Sequence, residues 1–205
     1  MKLPRLYAIA DVSFLVETST LVHFAQELVA VGVTLLQYRN KTGSARQILD
    51  QALALRQALP GHVCLILNDR ADLALAANCN GVHVGQDDLS PAIVRQLIGP
   101  GRWLGVSTHN PEQLTAASQT SADYFAIGPV FATSSKTRPD PVVGLEGVRR
   151  ARALTTKPLV AIGGITRQNC RSVIDAGADS VAVISDLIPF PRAAAEDFLR
   201  LFSSY

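Results

Sequence analysis

The amino-acid sequence predicts a (β/α)₈ barrel that forms one domain over residues 1–205. Eight short, nearly continuous apolar runs recur along the chain, as expected for strands that are covered on both faces. Helical signals separate these runs, and strands that alternate with helices imply a parallel sheet. The length of 205 residues just reaches the lower limit of about 200 residues for this barrel. An open, doubly wound sheet is the structural alternative.

The apolar runs give the eight predicted strands in chain order. They are LYAIAD from Leu6, TLLQYR from Thr34, VCLILND from Val63, GVHVG from Gly81, WLGVS from Trp103, YFAIG from Tyr124, LVAIGG from Leu159 and SVAVIS from Ser180. Most of these runs end in polar or small residues, so the carboxyl end of each predicted strand can be recognised in the sequence.

Capping residues indicate where several of the intervening helices begin. Ser90 and Asn110 each stand directly before a proline, and a capping side chain followed by proline is typical of a helix start. Thr166 is predicted to cap a helix that ends at Gly177, because glycine is common directly after the last helical turn.

The composition indicates an ordinary globular protein rather than a nucleic-acid-binding or membrane protein. Hydrophobic residues make up 48% of the chain and charged residues 18%, and the net charge is only +2. Because there is no basic run and few aromatic residues to stack on bases, nucleic acid is not expected as a partner. No apolar run approaches the ~18 residues that a membrane span needs.

The protein is predicted to be cytoplasmic. Pro4 and Asp11 interrupt the apolar N-terminal segment, which fits a first buried strand better than a signal peptide. The cysteines Cys64, Cys79 and Cys170 lack the spacing of a zinc site or a disulfide framework, and they fit buried thiols in a reducing compartment. The oligomeric state stays open, and a homo-oligomer is compatible with the sequence.

In a barrel of this kind, binding and catalytic residues lie at the carboxyl ends of the strands. The second strand ends in QYRNK, where Gln37, Arg39 and Lys41 alternate, so a continuing strand would point all three the same way. An amide and two cations on one face suit a phosphorylated or otherwise anionic ligand. A solvated strand end is the alternative interpretation.

Acidic residues follow the next two strands. Asn68 and Asp69 come directly after the third strand, and Asp87 and Asp88 follow the fourth. Two carboxylates on adjacent strands, without a His or Cys cluster, suit Mg²⁺ better than zinc, because Mg²⁺ is typically held by one or two carboxylates plus substrate phosphates and water. One of the two residues Asp87 and Asp88 has a second interpretation, as a favourable charge at the N-terminus of the following helix.

The last four strands end in small or hydroxyl-bearing residues. The fifth supplies Ser107 and His109, and the sixth is followed by residues 132–140, ATSSKTRPD, which are dense in hydroxyls and cations. Gly163-Gly164 follow the seventh strand and Ile184-Ser185 the eighth, where close approach of backbone N–H groups suits a phosphate. No pair of nucleophile and base is evident, so the sequence predicts a reaction driven by electrostatics and positioning.

The motifs QYRNK, LNDR, GVHVGQDD, GVSTH, GPVFATSSK, AIGGI and AVIS, in this order, resemble those of thiamine-phosphate synthase. The resemblance extends from about Leu6 to Ser185. It implies a barrel-shaped transferase of thiamine biosynthesis that requires Mg²⁺ and takes small phosphorylated substrates. Such an enzyme joins 4-amino-2-methyl-5-hydroxymethylpyrimidine diphosphate to 4-methyl-5-(2-phosphoethyl)thiazole and releases diphosphate. The pyrimidine first loses diphosphate as a stabilised carbocation, which the thiazole nitrogen captures, so no general base is needed.

The resemblance also implies roles for individual residues, carried over by position. Asp69 and Asp88 would bind Mg²⁺. The residues that would bind the pyrimidine diphosphate are Gln37, Arg39, Lys41, Asn68, Ser107 and Lys136. Those with a direct part in catalysis would be Arg39, Lys41, Ser107 and Lys136. Those that would bind the thiazole phosphate are Thr133, Ser135, Gly164, Ile184 and Ser185.

Two alternative functions remain open. One is a thiazole tautomerase built on a related barrel, in which His109 would carry the proton. The other is a non-catalytic sensor of a phosphorylated ligand. A tautomerase has no use for Asp69, Asp88 and Lys136 together, and a sensor is expected to have lost a metal carboxylate or Lys136, so both alternatives fit the sequence less well than the synthase.

Overall fold

The computed structural model describes residues 3–133 and 140–203, which form a closed barrel of eight parallel strands. The strands are hydrogen-bonded in chain order, and the last pairs with the first. They are β1 Leu6–Asp11, β2 Leu35–Arg39, β3 Cys64–Asn68, β4 Gly81–Val84, β5 Trp103–Thr108, β6 Tyr124–Ile127, β7 Leu159–Ile162 and β8 Ser180–Val183. The predicted barrel is confirmed, and the alternative of an open sheet is wrong.

A helix follows each strand. The helices are α1 Thr18–Ala30, α2 Ala45–Ala58, α3 Ala71–Ala76, α4 Pro91–Ile98, α5 Pro111–Ser118, α6 Gly144–Leu154, α7 Cys170–Asp175 and α8 Pro191–Phe202, with a 3₁₀ turn at Ser185–Leu187 between β8 and α8. Within the described part of the chain, no helix combines the length and the apolar content that crossing a membrane requires.

Two of the three predicted helix caps are confirmed. Ser90 accepts a hydrogen bond from a backbone N–H in the first turn of α4, and Asn110 does the same for α5. The cap predicted at Thr166 is wrong, because α7 begins only at Cys170. The Thr166 hydroxyl instead accepts the N–H of Gln168, a local side-chain bond that competes with helix formation.

The strand side chains pack into two cores, because successive residues of a strand point to opposite faces of the sheet. The larger core includes Leu36, Leu65 and Leu104 together with buried residues of the helices, so it lies between the barrel and its helical layer. The smaller core contains inward-facing residues such as Tyr7 and Tyr124. Polar side chains begin above this smaller core, at the carboxyl ends of the strands.

Candidate active site

A cavity of about 490 Å³ opens at the carboxyl ends of the strands, within the usual size range of small-molecule sites. Every predicted site residue that the structure describes lines it. These residues are Gln37, Arg39, Lys41, Asn68, Asp69, Asp88, Ser107, Thr133, Gly164, Ile184 and Ser185. Ser135 and Lys136 lie outside the described residues, so their positions stay predictions.

Arg39 is held at the cavity by an acidic residue that the sequence analysis did not single out as a site residue. Asp11 ends β1 directly opposite Arg39 in the parallel register, and its Oδ2 accepts a hydrogen bond from the guanidinium group. The other carboxylate oxygen accepts from the N–H and the hydroxyl of Ser13. Because the Asp11 side chain is only 3% exposed, it needs these partners, and in return it fixes the direction of Arg39.

Lys41, Asp69 and Asp88 form a charged cluster at the ends of three neighbouring strands, β2, β3 and β4. The Lys41 Nζ atom lies 2.6 Å from Asp69 Oδ2. Burial raises the pKa of the Asp69 carboxyl, the Lys41 ammonium lowers it, and the Asp88 carboxyl within hydrogen-bonding reach raises it further. The two carboxyl groups therefore lie close together, where a cation would stabilise the ionised form of both.

The backbone at Asp69 places its carboxyl group in this cluster. Its φ of 62° lies in the left-handed region, which few residues other than glycine adopt. The Asp69 N–H donates to the carbonyl oxygen of His83, 2.8 Å away, and this bond holds the turn against β4. Such strained conformations often occur at functional sites, where the surrounding structure holds them in place.

Two further polar groups bear on whether the cavity suits a metal ion and an anion. The Asn68 side-chain nitrogen is buried and has no hydrogen-bond partner among the described residues, so it can donate to a ligand. Asp88 Oδ2 accepts the N–H of Gly85 at 2.7 Å, which orients the carboxylate. In the described ranges, no group of three or more His, Cys, Asp and Glu residues is arranged to hold a metal. Two carboxylates are nevertheless enough for Mg²⁺, because substrate phosphates and water usually supply its other ligands.

A chain of hydrogen bonds runs beneath the charged residues and connects Gln37 with Ser107; we call it the buried relay. Gln37 Nε2 lies 2.9 Å from the Tyr7 hydroxyl, which lies 2.9 Å from the Tyr124 hydroxyl. The Tyr124 hydroxyl is 3.0 Å from His83 Nδ1, and His83 Nε2 is 2.8 Å from Ser107 Oγ. The relay thus connects side chains from five strands: β1, β2, β4, β5 and β6.

Burial keeps the members of the relay uncharged near neutral pH. It lowers the pKa of His83 to about 4 and raises the pKa of Tyr7 and of Tyr124 above their ordinary value. Gly105 makes room for the contact between Tyr124 and His83, since a Cβ atom there would lie 2.1 Å from the tyrosine ring and 2.4 Å from His83 Nδ1. The buried polar groups of this core are tolerated because each of them has a hydrogen-bond partner.

His109 contributes a fixed side chain to the cavity wall. Its Nδ1 atom lies 2.6 Å from the Gly128 carbonyl oxygen, which accepts its proton, and its Nε2 atom lies 3.5 Å from Asp140. With one nitrogen engaged by the backbone and the other near a carboxylate, the imidazole ties the end of β5 to the segment after β6.

The two glycines after β7 allow the backbone to pass close to its neighbours. Gly163 and Gly164 have φ angles of 100° and 62°, which favour glycine. A Cβ atom on Gly164 would also lie 2.4 Å from the carbonyl oxygen of Ala132. The backbone of Gly164 can therefore face the cavity beside Ile184 and Ser185, as the sequence predicted for a phosphate site.

Comparison with known proteins agrees with this geometry. The family model described as thiamine monophosphate synthase matches residues 6–187. A thiamine-phosphate synthase from Koribacter versatilis is 65% identical over 100% of this chain and 98% of its own length. One from Chlorobium phaeovibrioides is 44% identical over 87% of each chain.

A solved structure shows the same relationship. The thiamine phosphate pyrophosphorylase of Pyrococcus furiosus superposes with a TM-score of 0.85 and 32% sequence identity, covering 96% of this chain and 94% of that one. The relatives are named as synthases, which does not favour the tautomerase or the sensor. The resemblance read from the sequence motifs is confirmed, and the chain belongs to the thiamine-phosphate synthase family.

Proposed function

We propose that this chain is a transferase that condenses 4-amino-2-methyl-5-hydroxymethylpyrimidine diphosphate with 4-methyl-5-(2-phosphoethyl)thiazole to form thiamine phosphate and diphosphate. Its membership of the synthase family supports this reaction. The observation that carries it is the grouping, in one cavity, of Arg39 and Lys41 with the paired carboxyl groups of Asp69 and Asp88. Cations beside a carboxylate pair suit a diphosphate that leaves together with a divalent metal ion.

The proposed roles follow from where each side chain lies. Arg39, held by Asp11, and Lys41 would bind the diphosphate and neutralise the charge that grows as it departs. The unpartnered Asn68 nitrogen would donate to the same group. Ser107, at the end of the buried relay, would contact the pyrimidine. Lys136 is proposed as a further cation on the diphosphate.

The other phosphate would bind across the cavity, near β7 and β8. Thr133 and Ser135 would donate hydroxyl groups to the thiazole phosphate, and the backbone of Gly164, Ile184 and Ser185 would approach it closely. The positive φ angles at Gly163 and Gly164 support this proposal, because they bring the backbone to the cavity surface. The two substrates would thus meet with their phosphates on opposite sides.

We propose Mg²⁺ as the cofactor, held by Asp69 and Asp88. The ion would supply Lewis-acid neutralisation of the diphosphate oxygens. The raised pKa of Asp69 supports this assignment. Two neighbouring carboxylates repel each other, and a bound cation would offset that repulsion. The chain's own contribution is to orient these groups through the Asp69 backbone and the N–H of Gly85.

The cytoplasm is the proposed compartment. All three cysteines are free, with Cys79 and Cys170 buried and Cys64 only partly so, which fits a reducing environment. Burial also raises the pKa of Cys79 to about 11, so this thiol stays protonated and unreactive.

The direct test is to incubate the purified protein with both substrates and Mg²⁺ and to detect thiamine phosphate by mass spectrometry. Product is expected only when both substrates are present, and diphosphate should be released in equal amount. Absence of product from protein with a native circular dichroism spectrum would contradict the proposed function. Full activity in the presence of a strong chelator would contradict only the metal assignment.

A further inference from the structure

The buried relay connects Gln37 and Ser107, two of the residues expected to bind the pyrimidine diphosphate, although they lie on β2 and β5. Gln37 and Ser107 both line the cavity, and the three residues between them, Tyr7, Tyr124 and His83, are almost completely buried. Packing alone does not require three hydrogen-bonding side chains here. Apolar residues of similar shape would fill the space without the cost of burying hydroxyl and imidazole groups.

The relay has too few protons for its two ends to act independently. The described partners of the His83 ring nitrogens are two hydroxyls, so the buried imidazole is neutral and carries one N–H. Each tyrosine hydroxyl likewise donates one hydrogen bond. If Tyr124 donates to His83 Nδ1, then Tyr7 donates to Tyr124 and Gln37 donates to Tyr7, as its amide nitrogen is placed to do.

This direction sets what each end presents to the cavity. His83 then donates through Nε2 to Ser107, so the Ser107 hydroxyl keeps its own proton for a ligand. At the other end, the Gln37 amide uses one N–H in the relay, and its carbonyl oxygen and second N–H are left for a ligand. A half-turn of the Gln37 amide reverses every bond in the relay, and Gln37 then donates to the ligand while Ser107 accepts. In both directions one end donates to the ligand, and the other end keeps an acceptor oxygen that only a donor of the ligand can satisfy.

We propose that the relay makes the site selective for a ring that offers one donor and one acceptor, with Tyr7, Tyr124 and His83 as positioning residues that couple Gln37 to Ser107. This inference rests on the proposed function, which places a 4-aminopyrimidine in the cavity. The amino group of such a ring donates and its ring nitrogens accept, so it satisfies both ends in either direction. A ring that offers only acceptors would leave the acceptor oxygen at one end of the relay, that of Gln37 or of Ser107, without a donor.

Binding of two pyrimidine monophosphates, measured by calorimetry, tests this coupling. Neither probe has a diphosphate to lose, so binding is measured without turnover. One carries the natural 4-amino group, and in the other a 4-methoxy group replaces it and offers only acceptors. Wild-type protein should prefer the amino compound. Tyr124→Phe cuts the relay at its centre, so each end can adjust by itself, and the ratio of the two dissociation constants should fall about tenfold, the worth of one hydrogen bond.

A matched control separates coupling from the general cost of removing a buried hydroxyl. Tyr38 is also fully buried, but its hydroxyl donates to Gln51 and it does not line the cavity. Tyr38→Phe should leave the ratio unchanged. Tyr7→Phe cuts the relay at a second bond and should behave like Tyr124→Phe, which keeps the test decisive if one variant folds poorly.

The outcomes distinguish the two proposals. A ratio that stays within twofold of wild type in every folded relay variant would overturn the coupling and leave the proposed function intact. Wild-type protein that binds neither probe would contradict the proposed function and the coupling together. A ratio that falls in both relay variants and not in Tyr38→Phe would support the coupling, since a purely structural role weakens both probes equally.

Discussion

The two ends of the barrel use the same types of polar residue in different ways. At the N-terminal end of the strands, a residue just before each of β4, β6 and β8 accepts a backbone N–H from the first or second residue of the preceding strand. It also accepts a hydrogen bond from an arginine of a helix, and all these bonds measure 2.7–3.1 Å. These sets are Asn80 with Leu65 and Arg56, Asp123 with Leu104 and Arg95, and Asp179 with Leu159 and Arg152. The arrangement recurs every second unit and ties helix to sheet.

At the carboxyl end, the polar groups are arranged for something that is not part of the chain. Asn68 has a buried amide nitrogen without a partner among the described residues, and Asp69 shares its surroundings with a second carboxyl group. This difference shows that an arginine or aspartate in this fold stabilises the protein where its hydrogen bonds are made to backbone groups. It serves binding where part of its hydrogen-bonding capacity is left free to face a ligand in the cavity, even if one bond, such as that of Asp88 to Gly85, orients it.

The strongest test of this contrast is to remove charge from the carboxyl end. Asp69→Asn and Asp88→Asn should each lower kcat/KM in the coupling reaction by about 10²–10³, comparable with losing one preorganised electrostatic contact. Raised Mg²⁺ should restore part of the activity. Asparagine tolerates the left-handed backbone at position 69, so thermal unfolding should stay within a few degrees of wild type. A loss of thermal stability in proportion to the loss of activity would contradict the proposed contrast between the two ends of the barrel.

The second test removes an arginine from the opposite end. Arg152 donates to Asp179 and to the carbonyl oxygens of Thr155 and Lys157. Arg152→Met should lower the free energy of unfolding by about 2–3 kcal/mol, since hydrogen bonds from a charged group are lost. The coupling activity per folded molecule should not change.

Arg149→Met is the matched control on the same helix, because among the described residues Arg149 makes only an exposed ion pair with Glu146. It should alter the free energy of unfolding by less than about 0.5 kcal/mol in urea denaturation. An equal loss of stability in both variants would show that the closed bonds of Arg152 have no special value.

The sequence predicted the strands and most of the cavity because both depend on local patterns. Ser107 could be identified because it directly follows an apolar run, and Asp88 because it lies in the polar loop GQDD after the fourth apolar run, and the barrel brings all such strand ends to one end. Asp11 occupies the equivalent position on β1, but in the sequence it stands out only as an interruption of an apolar segment. Its role depends on pairing with Arg39 in the neighbouring strand, which the sequence alone does not show.

The buried relay was missed for a different physical reason. Tyr7 and Tyr124 stand within apolar strands, where an aromatic residue is most often a packing residue. Their hydroxyl groups meet across the barrel although the residues are 117 positions apart in the chain. No local pattern reports such a contact, and the Asn80, Asp123 and Asp179 sets at the other end escaped notice for the same reason.

The relay lies between the two ends, and the pH dependence of stability tests its character. The folded-state pKa of His83, about 4, lies below its ordinary value of 6.5, so the unfolded chain binds the extra proton between these values. The free energy of unfolding should therefore fall as pH falls through this window. From pH 7 to pH 5, the His83 contribution should be a loss of about 2 kcal/mol, and His83→Gln should lack this part of the dependence. Denaturation curves that shift in parallel for both proteins would show that His83 is not a buried neutral histidine.

The smallest expected effect concerns a polar residue at the carboxyl end whose side chain is hydrogen-bonded to the backbone. Asn110 accepts the N–H of Gln113 at 2.8 Å and caps α5, and it does not line the cavity. Asn110→Ala should lower the free energy of unfolding by about 1 kcal/mol, the usual cost of losing such a cap, while Asn110→Asp should keep the stability of wild type.

Neither Asn110 variant should change KM for either substrate, whereas Ser107→Ala should raise KM for the pyrimidine diphosphate. Ser107 and Asn110 are both polar residues at the end of β5, so the pair isolates the feature that matters. If Asn110→Ala raised KM as much as Ser107→Ala, location at the carboxyl end would decide function by itself. If only Ser107→Ala raises KM, the decisive property is whether the side chain is already hydrogen-bonded to the backbone, as Asn110 is.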